Sequence, residues 1–559
     1  MISYLPNNAL VRSEPVLHRP GIPQDWLVAD TLPDEPLLWI DECCRTDEAC
    51  NQAISPKETP HFLPTRLIDI GAVSSSTLHP RLIETKRLVA ERPRYVALSH
   101  RWGDSHKDPQ LELMTTVANM EVHMREINVA KLSKTFQFVI DVCRWLGIRY
   151  LWIDSFCIVQ DSKSDWKAES DAMAKIYRHS YCTISINIPE VGGKSLWTHC
   201  GYVGETAEGW VIDALDHDTW KTTSKNFWVA LMAGGMLGQR AWCLQERELS
   251  PRILHFLDPG MVMFECCHFA AAIGGPVVFG TRYSYSRECK DEDGKRLIDV
   301  ELGKGPEYHA SLCKHTKEAW YRVLVSYTER LLTQETDRPL AIRGVVDHIA
   351  TTVGYTYCHG IWQEDAARGL LWERNASVEE RWCRSQHSGW EAPSWSWLSI
   401  RGPVKGAIEN DEDSQPHIFE DTRHYRPIHR SFGDTKTSIS FSSDERIVHI
   451  EGDVLQARLD YDFSNEDWRT LGRGVPVQSD GFLFRRTVGM ACLDDPSQSF
   501  HGQITIVRLA DFYGMLLVEA EDPGKGLLYK RLGVVREPTT AFSLKWDQTS
   551  FDRGTCSVV

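Results

Sequence analysis

Three short apolar runs alternate with two segments of helical periodicity between residues 94 and 188. The runs are RYVALSH at 94–100, YLWIDS at 150–155 and YCTISINI at 181–188. Runs that are apolar at nearly every position are typical of strands buried on both faces, as in parallel sheets. The order strand, helix, strand, helix, strand predicts right-handed βαβ units, and with them a parallel α/β sheet.

The two intervening segments carry the signals of helices. In the first, Ser133 is placed to cap the start and Gly147 to end the helix. Its apolar face is formed by Leu132, Phe136, Val139, Ile140, Cys143 and Leu146. In the second segment, one stripe is formed by Trp166, Glu169, Met173 and Ile176. Glu169 is therefore expected on the face that packs inward.

The flanking segments are less regular. Residues 1–63 are rich in Pro and acidic residues without periodicity, and they predict a loosely packed leader. A strand is expected at 66–70, and the charged stretch at 283–308 predicts an exposed connection. The segment RAWCLQER at 240–247 has charges every three or four residues around a Trp, which predicts a helix packed on the α/β domain and lining its cleft.

The second half of the chain changes from helical to strand-sized patterns. Residues 311–385 predict helices, with Trp320, Leu324 and Tyr327 on one stripe. Beyond Pro393 the apolar pieces shorten, which predicts a mostly antiparallel β region. The resulting division is a leader at 1–63, an α/β domain at 64–275, a charged connection at 276–310, a helical segment at 311–390 and a β-rich region at 391–559.

The composition is that of a folded protein. Of 559 residues, 42% are hydrophobic and 25% charged, which excludes wholesale disorder. The net charge of −15 argues against sequence-independent nucleic-acid binding, which needs clustered cations. No window approaches the roughly 18 apolar residues of a membrane span, and residues 1–15 lack a signal-peptide pattern. We therefore expect a cytoplasmic protein without a nucleic-acid or membrane partner.

The chain contains 16 Cys and 20 Trp, and Trp outnumbers both Phe (19) and Tyr (17). In a reducing compartment the cysteines are expected to be small buried hydrophobes, and most of the tryptophans are expected in core packing. No metal is predicted, because the paired CxxC spacing of zinc sites is absent from the two densest groups, Cys43/Cys44/Cys50 and Cys266/Cys267/His268. The P-loop and dinucleotide glycine patterns are incomplete, and neither HExxH nor GxSxG occurs.

Polar residues follow the predicted strands at their carboxyl ends, where ligands bind in open α/β sheets. The first run continues through His100 and Arg101 to Asp104, and the second reaches Asp154. Because Glu169 faces inward on the next helix, it either pairs with a cation such as Arg149 or Arg101, or has a raised pKa and takes part in chemistry. The first alternative is a buried salt bridge that ties helix to sheet.

The other strand-end groups also leave two interpretations open. His100 is either a general base or a structural residue. Cys157 could be a nucleophile with His100 as its base, although no neighbour is placed to lower its thiol pKa, which favours a buried thiol. Asp154 and Asp161 could hold Mg²⁺, although capping and loop hydrogen bonds are the commoner use of such residues.

Five motifs occur in a fixed order along the chain. They are YVALSHRWG at 95–103, LSKT at 132–135, RYLWIDSFCIVQD at 149–161, DWKAESDAMAKIY at 165–177 and RAWCLQERELSPR at 240–252. Together they resemble the fungal heterokaryon incompatibility (HET) domain family, with Arg101 where that family commonly has Cys. DRPLAIRGV at 337–345 and APSWSWLS at 392–399 are similar to elements that follow this domain in large members. The resemblance implies a role in fungal non-self recognition and programmed cell death.

The HET domain is in turn distantly similar to Toll/interleukin receptor (TIR) domains. Ser99-His100-Arg101 with Asp104 resembles their SYRxxD motif, and Trp166-x-x-Glu169 resembles their WCxxE. In enzymatic TIR domains that Glu serves NAD hydrolysis, so the resemblance implies that role for Glu169. The strand-end residues His100 and Asp154 complete the predicted catalytic set. The substrate-binding residues it implies are Ser99, Arg101, Trp102, Asp104 and Trp166, with the tryptophans stacking on a ring and Arg101 facing the pyrophosphate.

The predicted fold class is α/β, a TIR- or flavodoxin-like parallel sheet with flanking helices, followed by a helical segment and a mostly antiparallel β C-terminal part. The leading hypothesis is a cell-death effector that degrades NAD through Glu169, with NAD as substrate and no cofactor. Two alternatives stay open. One is a non-catalytic module that assembles with itself or with a protein partner. The other is an enzyme that tailors a fungal small molecule by acid–base chemistry.

Overall fold

The computed structural model describes most of the chain, in segments. These are residues 32, 34–46, 50–51, 62–71, 80–88, 91–101, 114–187, 204–206, 209–211, 237–257, 262–266, 269–272, 278–279, 306–374, 392–405, 437–461, 475–478, 487–494, 500–510, 513–520, 527–536 and 551–559. The chain divides into two compact units. The first is Met1–Lys290 with Leu340–Val345, and the second is Asp291–Pro339 with Val346–Val559.

Among the described residues, the first unit contains a nine-stranded mixed sheet and a separate hairpin. The strands are β1 (Arg66–Asp69), β2 (Arg81–Glu84), β3 (Tyr95–Ser99), β4 (Tyr150–Trp152), β5 (Cys182–Ile186), the hairpin strands β6 (Gly204–Thr206) and β7 (Gly209–Val211), β8 (Arg252–Phe256), β9 (Val262–Cys266), β10 (Phe269–Ala272) and β11 (Val278–Phe279). The order in the large sheet is β11-β10-β9-β8-β5-β3-β4-β1-β2.

The middle of this sheet is parallel. Strands β8, β5, β3 and β4 pair in parallel, and every one of their residues is buried. Counted from β4 across to β8, these four strands come second (β4), first (β3), third (β5) and fourth (β8) along the chain. The edges are antiparallel: β1 and β2 on one side, and β9, β10 and β11 on the other. The predicted parallel α/β sheet is confirmed for this middle part, while the antiparallel edges were not predicted.

The helices of this unit are α1 (Glu35–Thr46), α2 (Met120–Arg125), α3 (Lys134–Trp145), α4 (Asp154–Cys157), α5 (Lys163–Arg178) and α6 (Trp242–Leu249). Helix α3 has the predicted ends. The Ser133 hydroxyl accepts the Phe136 N–H at 3.2 Å, and Gly147 has a φ of +71°, in the left-handed region that glycine adopts without strain. On α5, Glu169, Met173 and Ile176 are buried as expected, whereas Trp166 is 36% exposed.

Part of the expected leader is packed. Helix α1 buries Trp39, Ile40 and Cys43 in the same core as the parallel strands, and the Trp39 ring lies 6.4 Å from that of Phe264 on β9. The expectation that this whole region is loosely packed was therefore wrong for α1. The sequence pattern missed it because three acidic residues and Pro36 interrupt the apolar stripe.

The second unit begins with helices, as the sequence predicts, but short strands interrupt them. The helices are α7 (Pro306–Thr328), α8 (Leu340–Val353), whose first residues belong to the first unit, and α9 (Ala366–Gly369). The stripe of Trp320, Leu324 and Tyr327 on α7 is buried. Two antiparallel pairs follow: β12 (Tyr357–Cys358) with β13 (Ile361–Trp362), and β14 (Glu373–Arg374) with β15 (Val404–Lys405). The helical prediction for 311–385 was therefore wrong at β12, β13 and β14, whereas β15 lies in the part predicted as β-rich.

The C-terminal region is a β-sheet that closes on itself. Its described strands are β16 (Ser438–Phe441), β17 (Val448–Tyr461), β18 (Val475–Gln478), β19 (Thr487–Leu493), β20 (Phe500–Ala510), β21 (Tyr513–Ala520), β22 (Leu528–Arg536) and β23 (Asp552–Val558). The pairings run β17-β18-β19-β22-β21-β20, and β20 pairs again with β17. All of these pairings are antiparallel except the short one between β22 and β23, so the predicted antiparallel region is confirmed.

A buried ion pair lies at the centre of the second unit. Arg531 on β22 binds both oxygens of Asp494 at 2.8 and 3.1 Å, and its side chain is fully buried. The guanidinium also donates to the Trp372 carbonyl at 2.6 Å and lies 3.7 Å from the centroid of the Trp372 ring. This arginine therefore joins β22 to the segment that precedes β14.

Many of the tryptophans pack in cores, as predicted. Those that are fully buried among the described residues include Trp152, Trp320, Trp362, Trp372, Trp395 and Trp397. None of the described helices combines the length and the apolar character needed to cross a membrane.

Candidate functional site

The carboxyl ends of β3 and β4 bring His100 and Asp154 together. Residue His100 directly follows β3, and Asp154 opens α4 just after β4. The His100 Nδ1 atom lies 3.9 Å from Asp154 Oδ1, which is longer than a hydrogen bond. The His100 ring is buried edge-on against Phe136 at 5.2 Å between centroids. The two predicted residues are therefore close enough to interact electrostatically, with the carboxylate partly open to solvent.

A second acidic residue, Glu246 on α6, completes this cluster. Its carboxyl group is hydrogen-bonded to Ser99, the last residue of β3, and to the Tyr177 hydroxyl on α5. The charges of Asp154 and Arg240 also act on it. Arg240 precedes α6 and donates to the His100 carbonyl at 3.1 Å. The segment 240–247, predicted as a helix that lines the cleft, thus contributes one carboxyl group and one guanidinium.

Burial sets the protonation of Glu246. Its side chain is 7% exposed, and desolvation raises its pKa to about 7, with the Asp154 charge acting in the same direction. Hydrogen bonds from Ser99 and Tyr177 and the Arg240 charge oppose this rise. The Tyr177 hydroxyl also lies within hydrogen-bond distance of the Leu98 carbonyl, at 3.0 Å.

The predicted catalytic residue Glu169 belongs to a different group of side chains. It is 2% exposed, and burial raises its pKa, against the opposing effects of a hydrogen bond with Thr65 and of the Arg66 charge. Its Oε1 atom lies 3.7 Å from Arg66, and its Oε2 atom has no hydrogen-bond partner among the described residues. No contact of Glu169 within the described residues goes to His100 or Asp154.

Arg66 is the residue that ties helix α5 to the sheet. Its guanidinium forms an ion pair with Asp165 on α5 and donates to the Cys157 carbonyl at 2.7 Å. Asp165 in turn accepts the Val159 N–H at 2.8 Å. The sequence suggested Arg149 or Arg101 as the partner of Glu169, but the structure places Arg66 there. Strand β1 lies antiparallel beside β4, so Arg66, the first residue of β1, lies at the carboxyl end of β4.

Arg149 cannot face a ligand at this edge. It precedes β4 and therefore lies at the opposite end of the strand, where it binds both oxygens of Asp69 at 2.6 and 2.7 Å. Burial would raise the pKa of Asp69, but the Arg149 hydrogen bonds hold it below its ordinary value. Arg101 is exposed just after His100. The predicted ligand-binding residues Trp102 and Asp104 lie outside the described residues.

The other candidates have structural partners. Cys157 is fully buried, and burial raises its thiol pKa, so it carries little thiolate at neutral pH. Asp161 accepts the Val117 N–H at 2.9 Å, and Asp154 accepts the Ser155 N–H at 2.7 Å. These are the loop and capping uses that compete with Mg²⁺ binding.

Two buried polar atoms near the cluster lack a hydrogen-bond partner within the described ranges. They are Trp152 Nε1 and Ser155 Oγ. The Trp152 ring packs edge-on against Tyr177, with centroids 5.7 Å apart, and Ser155 directly follows Asp154. An unmade hydrogen bond at a buried atom costs about 1–3 kcal/mol, so these atoms could bind a ligand that reaches the carboxyl ends of β3 and β4.

A sequence signal for Glu246 exists, although the sequence reasoning missed it. The TIR-type pattern WCxxE occurs without any substitution at 242–246, as Trp-Cys-Leu-Gln-Glu. At 166–169 the spacing between Trp and Glu is one residue shorter, and Lys167 replaces Cys. Glu246 thus fits the pattern at every position, whereas Glu169 does not.

The fold and the cluster define a class: an α/β domain with buried carboxyl groups at the carboxyl ends of its parallel strands. Residues 95–246 match the family model described as Heterokaryon incompatibility protein (HET). The chain therefore contains a HET domain of the heterokaryon incompatibility family, as the five motifs indicated. The match begins with β3 and ends at Glu246, so it includes all the residues of the cluster. No curated protein and no solved structure matches the chain significantly.

Proposed function

We propose that this chain is a cytoplasmic effector of heterokaryon incompatibility whose HET domain hydrolyses NAD at the carboxyl ends of its parallel strands. The observation that carries the proposal is the position of Glu246. It is a buried carboxyl group with a pKa of about 7, hydrogen-bonded to the end of β3 and close to Asp154 and Arg240. The HET domain itself suggests a role in incompatibility and cell death.

The strand order supports a TIR- or flavodoxin-like relationship. The four parallel strands lie second, first, third and fourth, which is the order of flavodoxin-like doubly wound sheets. In such sheets ligands bind where the connections change direction, here between the carboxyl ends of β3 and β5. Ser99 and His100 lie at that point, and Glu246 reaches it from α6.

The proposed reaction is hydrolysis of the bond between nicotinamide and ribose. Nicotinamide leaves as a neutral molecule with the bonding electron pair, and the positive charge passes to the ribose as an oxocarbenium-like centre. A carboxylate stabilises that charge, and water adds to the ribose and releases one proton. Glu246 is suited to this work, since a pKa near 7 lets it accept the proton from water and pass it to solvent.

Glu169 has a positioning role in this proposal. Its burial and its distance of 3.7 Å from Arg66 support a contribution to the attachment of α5 to the sheet. For it to contact a ribose, α5 would have to separate from Arg66 on β1. Glu246 needs no such rearrangement of β1 and α5.

The test is nicotinamide release from NAD by the purified full chain. We expect Glu246→Gln to lower the rate by about 100-fold or more, because it removes the base and the negative charge while keeping the shape. Glu169→Gln should stay within about threefold of wild type when its folding is intact. The matched control is Glu121→Gln, an exposed position on α2, which should equal wild type.

Two outcomes would overturn this assignment. Full activity of Glu246→Gln together with loss in Glu169→Gln would return the catalytic role to Glu169. If folded wild-type protein released no nicotinamide, even when concentrated, the alternative of a module that assembles with itself or a protein partner would be favoured.

A further inference from the structure

Three cysteines of the first unit converge in its core. The sulfur atoms of Cys43, Cys50 and Cys266 all lie within 4.8 Å of one another, and all three side chains are buried. They come from α1, from the residues shortly after it, and from the end of β9. The chain positions of these cysteines do not suggest a site, because no two of them form a CxxC pair.

The packing of α1 on β9 creates this cluster. Trp39 contacts Phe264 one turn before Cys43, which places that turn of the helix over the end of the strand. Cys266 is paired with Arg252 across the antiparallel β8–β9 ladder. The Arg252 side chain therefore lies beside the three sulfur atoms.

Two of the three sulfur atoms accept N–H hydrogen bonds. Cys43 accepts a hydrogen bond from Arg252 Nε at 3.2 Å, and Cys266 accepts the Phe269 N–H at 3.3 Å. The Cys50 thiol donates a hydrogen bond to the Pro251 carbonyl at 3.2 Å. N–H donors to sulfur are the usual support of metal-bound thiolates, because they spread the negative charge.

Arg252 brings a buried positive charge to the same place. Its side chain is fully buried, and its remaining partners are the Asn51 side-chain oxygen at 2.5 Å, the Tyr181 carbonyl at 3.4 Å and the Tyr181 ring. All of these partners, within the described part of the chain, are uncharged. A buried cation is costly without a negative partner, and a thiolate site would supply one.

We propose that Cys43, Cys50 and Cys266 bind a thiophilic d¹⁰ metal ion, Zn²⁺ or Cu⁺. Metal–sulfur bonds of about 2.3 Å place the sulfur atoms of such a site about 4 Å apart, so small side-chain shifts close the cluster around the ion. Binding of Zn²⁺ releases three thiol protons and leaves one net negative charge, which the Arg252 guanidinium balances. Zn²⁺ then takes a light atom as its fourth ligand, whereas Cu⁺ needs three sulfurs only.

The metal would fasten α1 to the edge of the sheet. All three ligands and Arg252 lie outside residues 95–246, the part that matches the HET family model. The site is therefore an addition to that domain and does not depend on the proposed hydrolysis of NAD. Its role is structural, because three buried ligands from two separate segments make metal binding part of the folding free energy.

The test is metal analysis of the full chain, purified under reducing and oxygen-free conditions and reconstituted with Zn²⁺ or Cu⁺. We expect about one equivalent of metal per chain, and X-ray absorption should show three sulfur neighbours at about 2.3 Å. Cys43→Ser, Cys50→Ser and Cys266→Ser should each lower the metal content about tenfold or more. The control Cys143→Ser changes a fully buried cysteine on α3 and should keep the full equivalent.

The wild-type protein also provides a test that does not depend on the folding of variants. Removal of the metal by a chelator should lower the unfolding temperature, and return of the metal should restore it. X-ray absorption of the wild type distinguishes the two metals by their neighbouring atoms. Zn²⁺ should have three sulfur neighbours and one light atom, and Cu⁺ should have three sulfur neighbours alone. The proposal is overturned if the reconstituted chain binds less than about a tenth of an equivalent, if nitrogen and oxygen neighbours replace sulfur, or if the three serine variants keep their metal.

Discussion

Glu246 and Ser99 form a hydrogen bond that joins helix α6 to the carboxyl end of the first parallel strand. The two residues are far apart in the chain, and each lies within a motif of the HET family. Their contact brings two of these motifs together, because the strand ends at the point where the helix places its carboxyl group. It also places Glu246 beside Ser99, one of the residues expected to bind a ligand.

The raised pKa of Glu246 predicts a specific pH dependence of stability. The folded state keeps a proton that the unfolded chain releases, because the pKa is about 7 in place of the ordinary 4.5. The stabilisation is therefore complete below pH 4.5 and is lost as the pH rises to about 7. We expect wild type to lose roughly 3 kcal/mol relative to Glu246→Gln across this interval. Urea unfolding of both proteins at pH 5 and pH 8 measures the difference, and Glu121→Gln should show none.

The attachment of α5 through Arg66 predicts unequal effects of two substitutions. Arg66→Met should destabilise the chain by about 3–5 kcal/mol, because it leaves the buried Glu169 and the partly buried Asp165 without their cation. Glu169→Gln should cost much less, since Asp165 keeps the main ion pair. A double-mutant cycle of Arg66→Met and Glu169→Gln, with the free energy of unfolding measured in urea, gives the coupling energy between the two residues. Equal effects of the two single changes would show that Glu169 is the main partner of Arg66.

The Ser133 cap predicts a modest, local effect. Ser133→Ala removes the acceptor for the Phe136 N–H and should cost about 1 kcal/mol. Ser133→Asp keeps an acceptor at the helix start and should restore most of that stability. Thermal unfolding of the three proteins checks this order, and an alanine variant as stable as wild type would refute the capping role.

The buried pair in the second unit predicts strong coupling. Arg531→Met should cost about 3–5 kcal/mol, because the buried Asp494 carboxylate then loses its arginine. Removal of both charges in Arg531→Met with Asp494→Leu should be milder than the sum of the single changes, since no unpaired charge remains. Chemical unfolding of the four proteins gives the coupling energy. Additive effects would mean that the contacts of Arg531 with Leu370 and Trp372 matter more than the ion pair.

The sequence by itself determined the elements whose physics is local. The apolar runs predicted the buried strands β3, β4 and β5, because a strand buried on both faces needs apolar residues at nearly every position. Ser133 and Gly147 predicted the ends of α3, because helix capping restricts the residue types at those positions. The same local rules did not predict α1, because polar residues interrupt its apolar stripe. They also did not predict the short strands after α8, which have too few residues to show a period.

Only the tertiary structure decided which residues meet. The antiparallel pairing of β1 with β4 put Arg66, and not Arg149, beside Glu169. The return of the chain through α6 and β8 brought Glu246 to Ser99, and the packing of α1 on β9 gathered Cys43, Cys50 and Cys266. The reason is physical: charge pairing, pKa values and metal geometry depend on distances between segments, and those distances are set by sheet order and packing, which no local sequence pattern contains.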